Sequence, residues 1–264
     1  MSIKTSIRQW LATSRGNKAL KQWQSRATTS KGNPSDLEKF FDARQEGHGI
    51  WKWRHYFDIY DRHLSKFRGK QINVLEIGVY SGGSLEMWAE YFGSQAKIYG
   101  ADIAPECKAY ENNQTRIFIG DQEDRQFWKA VRAEVPSFDI VIDDGGHKAE
   151  QQIVTLEELV PYMSPGGVFI CEDIHGRRNP FAGYMAGLTN QLHSNKGSSA
   201  DSNSWLKVPA SPFQANVDSI HNYPFLSVLE LRQNPVGAFT ADRHGTIWQP
   251  FLDPFLPVTK RQQS

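Results

Sequence analysis

The stretch Val74-Leu75-Glu76-Ile77-Gly78-Val79-Tyr80-Ser81-Gly82-Gly83-Ser84 decides how this 264-residue chain folds. Asn73 to Gly78 is a short, mostly apolar run closed by a glycine, as expected of a strand in a buried parallel sheet. Gly82 and Gly83 then allow a sharp turn, and Ser84 to Tyr91 has helical spacing. A strand that passes through a glycine-rich turn into a helix opens an α/β sheet of the doubly wound kind. The spacing Glu76-x-Gly78-x-x-x-Gly82-Gly83 is not the G-x-G-x-x-G dinucleotide fingerprint, so a nicotinamide-dependent oxidoreductase is a weaker reading.

The same alternation continues outward. Lys97 to Ile103 and Arg116 to Asp121 read as the second and third strands, and residues 123–134 as a helix. Phe138 to Asp144 forms a fourth strand, and a helix over 148–163 leads through Ser164-Pro165-Gly166-Gly167 to a fifth, Val168 to Asp173. Asn216–Tyr223 and Phe225–Arg232, split by Pro224, read as an antiparallel pair. Upstream, Ser35-x-x-Glu38 is a capping box that opens a helix to about Arg44. Trp51, Trp53, Tyr56, Phe57, Tyr60 and Leu64 recur at helical spacing, and most are expected in the core. Thr28 to Pro34 reads as a linker and 194–204 as a mobile loop.

Composition narrows the function. The formal net charge of +1 gives no global pull toward nucleic acid. Two cysteines, Cys107 and Cys171, without ligand-like spacing argue against a disulfide framework or structural zinc and suit a reducing compartment. No apolar run approaches a membrane span, and Met1-Ser2-Ile3-Lys4 lacks the apolar core of a secretory signal, so a cytoplasmic location is expected. Residues 1–35 carry seven basic and no acidic residues, and Ile3, Ile7, Trp10, Leu11, Leu20 and Trp23 suggest an amphipathic helix. Docking or oligomerisation, contact of residues 1–26 with a membrane surface, and an organelle transit peptide remain open for that segment.

Ligands of doubly wound sheets bind outside the carboxyl ends of the strands, and here those ends are acidic. Glu76 closes the first strand, where it suits a cationic amino acid moiety; Asp102, next to Ile103, closes the second, where it can accept ribose hydroxyls. Gly120-Asp121-Gln122 closes the third, where a base would lie. Together these point to a nucleoside pocket rather than a plain tight turn. Asp143-Asp144-Gly145-Gly146-His147 and Glu172-Asp173-Ile174-His175 close the next two strands. Several carboxylates in one pocket repel unless neutralised, and a hard divalent cation, Mg²⁺ best, removes the conflict. Asp143 as a strand cap and His147 as the start of the next helix are the structural alternatives.

Tyr60-Asp61-Arg62-His63, Gly82 to Trp88, Ile98 to Ile103, Gly120-Asp121-Gln122, Ile142 to His147 and Glu172-Asp173 together resemble a known family. They look like the metal-dependent sugar O-methyltransferases of mycinamicin and other macrolide pathways, with related cephalosporin hydroxylase-like and rhamnosyl O-methyltransferase sequences. The likeness covers residues 48–176, and Ser219 to Tyr223 is similar too. It implies a Rossmann-like class I methyltransferase: a seven-stranded, mostly parallel sheet with an antiparallel C-terminal strand and an N-terminal helical extension. It implies S-adenosylmethionine at Glu76, Gly78, Tyr80, Ser81, Ser84, Asp102, Ile103, Asp121, Gln122 and Asp143. It also implies Mg²⁺ at Asp144, Glu172 and Asp173, His147 as general base, a sugar, glycan or glycosylated small-molecule acceptor, and a homo-oligomer. A metal-independent methyltransferase and a non-catalytic S-adenosylmethionine-binding protein of the same fold are the alternatives.

The corresponding division is a helical extension over 1–69, a core over 70–235 with an active-site loop at about 176–212, and a tail over 236–264. The chain departs from the family at Trp51-Lys52-Trp53, where Asp-Lys is usual, and after Asp173, where Ile174-His175-Gly176-Arg177-Arg178-Asn179-Pro180 replaces a more aromatic continuation. Arg177 and Arg178 could meet an anionic substrate or be solvated; His175 could face the pocket or solvent. His55 and Tyr56 could close over the cofactor or pack, and His221 reads as a strand histidine.

Overall fold

The computed structural model describes residues 3–16, 33–176, 179–195, 199–200, 206–242 and 244–245. It divides into two units, residues 1–34 and 35–264. Of the first, the described helix is α1 (Ile3–Gly16); the continuation expected to Trp23, and the predicted linker up to residue 32, lie outside the described residues.

The second unit follows the period-two pattern of its strands. In β1 (Asn73–Ile77) Val74 faces one apolar cluster and Leu75 the other, both fully buried. The same alternation runs through β2 (Lys97–Asp102), β3 (Thr115–Ile119), β4 (Ile140–Asp143) and β5 (Val168–Cys171). One cluster takes its cover from α2 (Asp36–Ala43), α3 (Tyr56–Leu64) and α4 (Gly83–Phe92), through Leu37, Phe57, Trp88 and Phe92. The other is covered by α5 (Arg125–Glu134), α6 (Ala149–Leu159) and α7 (Pro180–Leu192), through Trp128, Leu156 and Phe181. Burying side chains of this size is worth about 1.5–3 kcal/mol each, so both faces contribute to holding the sheet.

After α7 come β6 (Ser199–Ala200), β7 (Leu206–Pro209), α8 (Pro212–Asn216), β8 (Val217–Tyr223), β9 (Leu226–Leu231) and β10 (Ala238–Ala241). The main sheet has the order β3-β2-β1-β4-β5-β9-β8. β9 runs antiparallel to both β5 and β8, and the remaining pairings are parallel. This is the seven-stranded, mostly parallel sheet the sequence predicts.

Three expectations change. From Ser35 onward the helices assigned to an N-terminal extension belong to the core unit, because the buried faces of α2 and α3 pack in the first cluster. The expected active-site loop over 176–212 contains α7, begun by Asn179, whose side chain accepts from the Phe181 and Ala182 amides, and by Pro180 in the first turn. Ser199–Ala200, in the expected mobile loop, pair with β7, and the start of the tail, β10, pairs with β7 from the other side. Arg177, Arg178 and residues beyond 245 lie outside the described residues. No helix among the described residues is long and apolar enough to cross a membrane.

Candidate active site

Strand register lines up the chemistry. Ile77, Asp143 and Cys171 lie in one row across β1, β4 and β5. The next row therefore holds Gly78, Asp144 and Glu172 at the carboxyl edge, and the Asp144 amide still donates to Ile77 and the Glu172 amide to Asp143. Gly78 has φ +88°, and a Cβ there would stand 2.1 Å from the Asp144 carbonyl oxygen, so only glycine lets β4 end this close. At Gly83 a Cβ would meet the His48 and Gly49 carbonyl oxygens at 2.4 and 2.5 Å. That glycine seats the segment before α3 against the first helix of the sheet.

Above this edge lies a cavity of about 940 Å³. Gly78, Tyr80, Ser81, Ser84, Asp102, Ile103, Asp121 and Gln122 line one part; Lys52, Trp53, Tyr56, Asp144, His147, Glu172, Asp173 and His175 line another. The first part is built by backbone capture. Asp102 Oδ2 accepts from the Val79 and Tyr80 amides at 2.8 and 3.1 Å, and Oδ1 from Ala104 at 2.9 Å. Gln122 donates to Asp143 Oδ1 and Thr155 and accepts from the Gly146 amide at 2.7 Å.

Two residues expected on the cofactor wall, Glu76 and Asp143, are absent from that lining, and both are buried. Glu76 Oε2 accepts from the Ser84 hydroxyl at 2.6 Å, and Oε1 from Lys52 at 3.3 Å. Burial pushes both carboxyls up, Asp143 to about 7. They support the wall from behind, because their strand positions point inward rather than into the mouth.

The acidic end is more specific. Asp144 Oδ2 accepts from Lys52 at 2.6 Å, while Oδ1 faces His147 Nε2 at 4.0 Å. Asp173 Oδ1 accepts from the Trp53 indole at 3.0 Å and has the Tyr56 hydroxyl at 3.0 Å, while Oδ2 faces His147 Nε2 at 3.8 Å. Each carboxylate is thus anchored by one oxygen and turned toward His147 by the other. Ligand atoms of Asp144, His147 and Asp173 all lie within 4.8 Å of one another, an oxygen-rich set that suits a hard divalent cation. Glu172, the third predicted ligand, is drawn inward: Lys52 sits 3.1 and 3.2 Å from its two oxygens, and the Tyr60 hydroxyl donates at 2.6 Å. Burial pushes the Glu172 carboxyl well up, against the pull of Lys52.

Among the described residues, the non-glycines with positive φ are Tyr80, His147, Asp173 and Phe225. Three line the cavity, and the Phe225 carbonyl lies 3.0 Å from the Tyr56 hydroxyl. Such backbone costs about 1–3 kcal/mol per residue and gathers where positioning matters.

Sequence reasoning named Lys52 and Tyr60 but gave neither a role in the site. Lys52 stands in the Trp51-Lys52-Trp53 stretch counted as a departure, whose tryptophans are exposed rather than core. Tyr56 and Tyr60 lie four residues apart on α3, so one helix face delivers both hydroxyls to the Glu172-Asp173 pair. His55, by contrast, bonds the Pro224 carbonyl at 2.9 Å, and His175 lies on the cavity wall near Phe225. His63, His221 and Glu230 also meet, but both His63 nitrogens are engaged, by Glu230 and Tyr223, and Lys66 flanks the carboxylate. That cluster is a protein-satisfied tie between α3 and the β8–β9 hairpin.

Comparison with known proteins agrees with this geometry. Residues 75–174 match a family described as a methyltransferase domain. The chain is 30% identical over 208 residues to the 8-demethyl-8-alpha-L-rhamnosyl tetracenomycin-C 2'-O-methyltransferase of Streptomyces olivaceus, an alignment covering 71% of this chain and 53% of the relative. The structure of MycE methyltransferase from the mycinamycin biosynthetic pathway in complex with Mg and SAH superposes with a TM-score of 0.62 and 27% identity, over 79% of this chain and 57% of that one. A complex of the same enzyme that also holds mycinamycin VI gives a TM-score of 0.58 and 29% identity, over 78% and 51%. The chain spans about half the length of the curated relatives it matches. It therefore carries a methyltransferase domain similar to those of sugar O-methyltransferases.

Proposed function

We propose that the protein transfers the methyl group of S-adenosylmethionine to a hydroxyl of a sugar on a glycosylated small molecule. The observation that carries this reading is the convergence of Asp144, Asp173 and His147 in the cavity whose remaining wall the ends of β1, β2 and β3 build. The Streptomyces olivaceus relative is named for a rhamnosyl tetracenomycin, which supports the acceptor class.

A sugar hydroxyl is a weak nucleophile at neutral pH, so its proton needs a destination. His147 Nε2, placed between the two anchored carboxylates, takes that proton as the acceptor oxygen attacks the sulfonium methyl carbon in line. The carbon–sulfur bond breaks, its electron pair stays on sulfur, and S-adenosylhomocysteine leaves. Asp144 and Asp173 favour the imidazolium as it forms, and Asp102, Gln122 and Ser81, on the cavity wall, would hold the nucleoside. Asp144 and Asp173, with Glu172 behind them, would hold Mg²⁺, which when bound polarises and orients the acceptor hydroxyl.

The test is methyl transfer from labelled S-adenosylmethionine to a rhamnosylated acceptor, with Mg²⁺ and with chelator. Activity that vanishes on chelation and returns with Mg²⁺ is expected; full activity in chelator overturns the metal's role. His147→Ala should lower kcat by about 10²–10⁴, while S-adenosylhomocysteine affinity stays close to that of the parent. Unchanged kcat would remove the histidine from its role.

A further inference from the structure

We infer that Lys52 is a built-in cation that assembles the acidic site, joining the cofactor side to the acceptor side before any divalent ion is bound. Its side chain is 2% exposed, and its ammonium lies within 3.3 Å of carboxylates near three different strand ends: Glu76 at the penultimate position of β1, Asp144 just after β4 and Glu172 just after β5. Among the described residues no hydrogen bond joins two of these acids, and Lys52 is the donor that all three share. Glu76 has the Ser84 hydroxyl and Glu172 the Tyr60 hydroxyl, both at 2.6 Å. Asp144 has Lys52, and that contact turns its other oxygen toward His147.

Three buried or half-buried carboxylates on adjacent strands repel at close range, and a buried charge without a partner is strongly destabilising. One ammonium meets that demand in part. With Asp173 close by, the site keeps an excess of negative charge on its open side, where Asp144, Asp173 and His147 converge. Lys52 thus divides the work: a fixed cation orders the inner acids, and the excess it leaves draws the exchangeable cation outward. This assignment rests on the metal reading above for the exchangeable ion, but not for the lysine.

The experiment is Lys52→Met, which keeps the stem's volume and removes the charge. Mg²⁺ alone is titrated by calorimetry into parent and variant, and thermal unfolding is followed in chelator and in Mg²⁺. The variant should melt lower in chelator, bind Mg²⁺ at least tenfold more tightly than the parent, and recover more of its melting temperature in Mg²⁺ than the parent gains. Equal or weaker Mg²⁺ binding, with equal Mg²⁺ effects on melting, would show a packing stem and overturn the assignment. If the parent takes up no Mg²⁺ while the variant does, the metal reading fails and Lys52 keeps its role. If Lys52→Met does not fold in chelator, the double variant Lys52→Met/Glu172→Gln, which removes one charge of each sign, should fold there. Failure of the double variant to fold, together with failure of the single variant to fold in Mg²⁺, also overturns the assignment.

Discussion

Asp143 shows how one side chain can serve the pocket from outside it. Its Oδ1 accepts from Gln122 and from the Gly145 amide, its Oδ2 has no partner among the described residues, and burial lifts the carboxyl to about 7. A carboxyl whose folded value is raised binds a proton more readily in the native state. Its contribution is therefore fully present below the ordinary value of 3.8 and is lost as pH rises toward 7. Asp143→Asn keeps the Oδ1 acceptor and removes the ionisation. Its stability relative to the parent should rise between pH 4 and pH 7, by a few kcal/mol in order of magnitude. Urea denaturation across that range checks it; a difference flat with pH would mean the carboxyl is not strained by burial. The sequence marked Asp143 as significant, but its direction follows from strand register, which places Asp143 inward and Asp144 outward.

At the scale of elements, α3 is the piece whose purpose periodicity alone could not convey. Its apolar spacing announced a helix with a buried face, and that is what forms. What spacing could not show is that the same helix carries hydroxyls to Glu172 and Asp173 at one end and His63 to Glu230 at the other. Those partners lie more than 100 residues away, and only the sheet order brings β5, β9 and β8 beside α3. Strands β1 to β5 were legible because each is a short apolar run ended by glycine or an acid, whereas β6, β7 and β10 lie in stretches read as loop and tail. α7 was not, since its Asn-Pro start follows a polar stretch and Gly183 and Gly187 interrupt its helical pattern. The hairpin tie is testable. Hydrogen bonding to His63 holds the Glu230 carboxyl below the usual range. Glu230→Gln should cost about 1–2 kcal/mol and speed amide exchange in β8 and β9 before it does so in β1 to β4. Uniform acceleration throughout the sheet would mean the tie is no local clamp.

For the whole molecule, the cofactor should act as a strut. S-adenosylhomocysteine bridges the ends of several strands in the proposed complex and has no site in the unfolded chain. At a hundredfold excess over its Kd it adds about 2.7 kcal/mol. In a protein of this size that corresponds to a rise in Tm of roughly 5–10 °C. NAD at the same concentration should leave Tm unchanged; a matching rise with NAD would reopen the oxidoreductase reading. The overall plan was the most legible level of all, since alternation of strands and helices admits few topologies. The interior charge pattern was the least legible, because a lysine between two tryptophans gives no sign of where its ammonium ends.

Lys52, Tyr56 and Tyr60 all precede the first strand, outside residues 75–174, where the methyltransferase domain match begins and ends. The proposed active site is therefore not modular along the chain. Trimming to the matched domain, or joining it to a foreign N-terminal segment, would sever the site's own cation and both tyrosines from their acids. Exchange between relatives can keep a working centre only if the crossover lies upstream of the loop that carries Lys52, and the spacing from Lys52 to His63 is then inherited as one indivisible length.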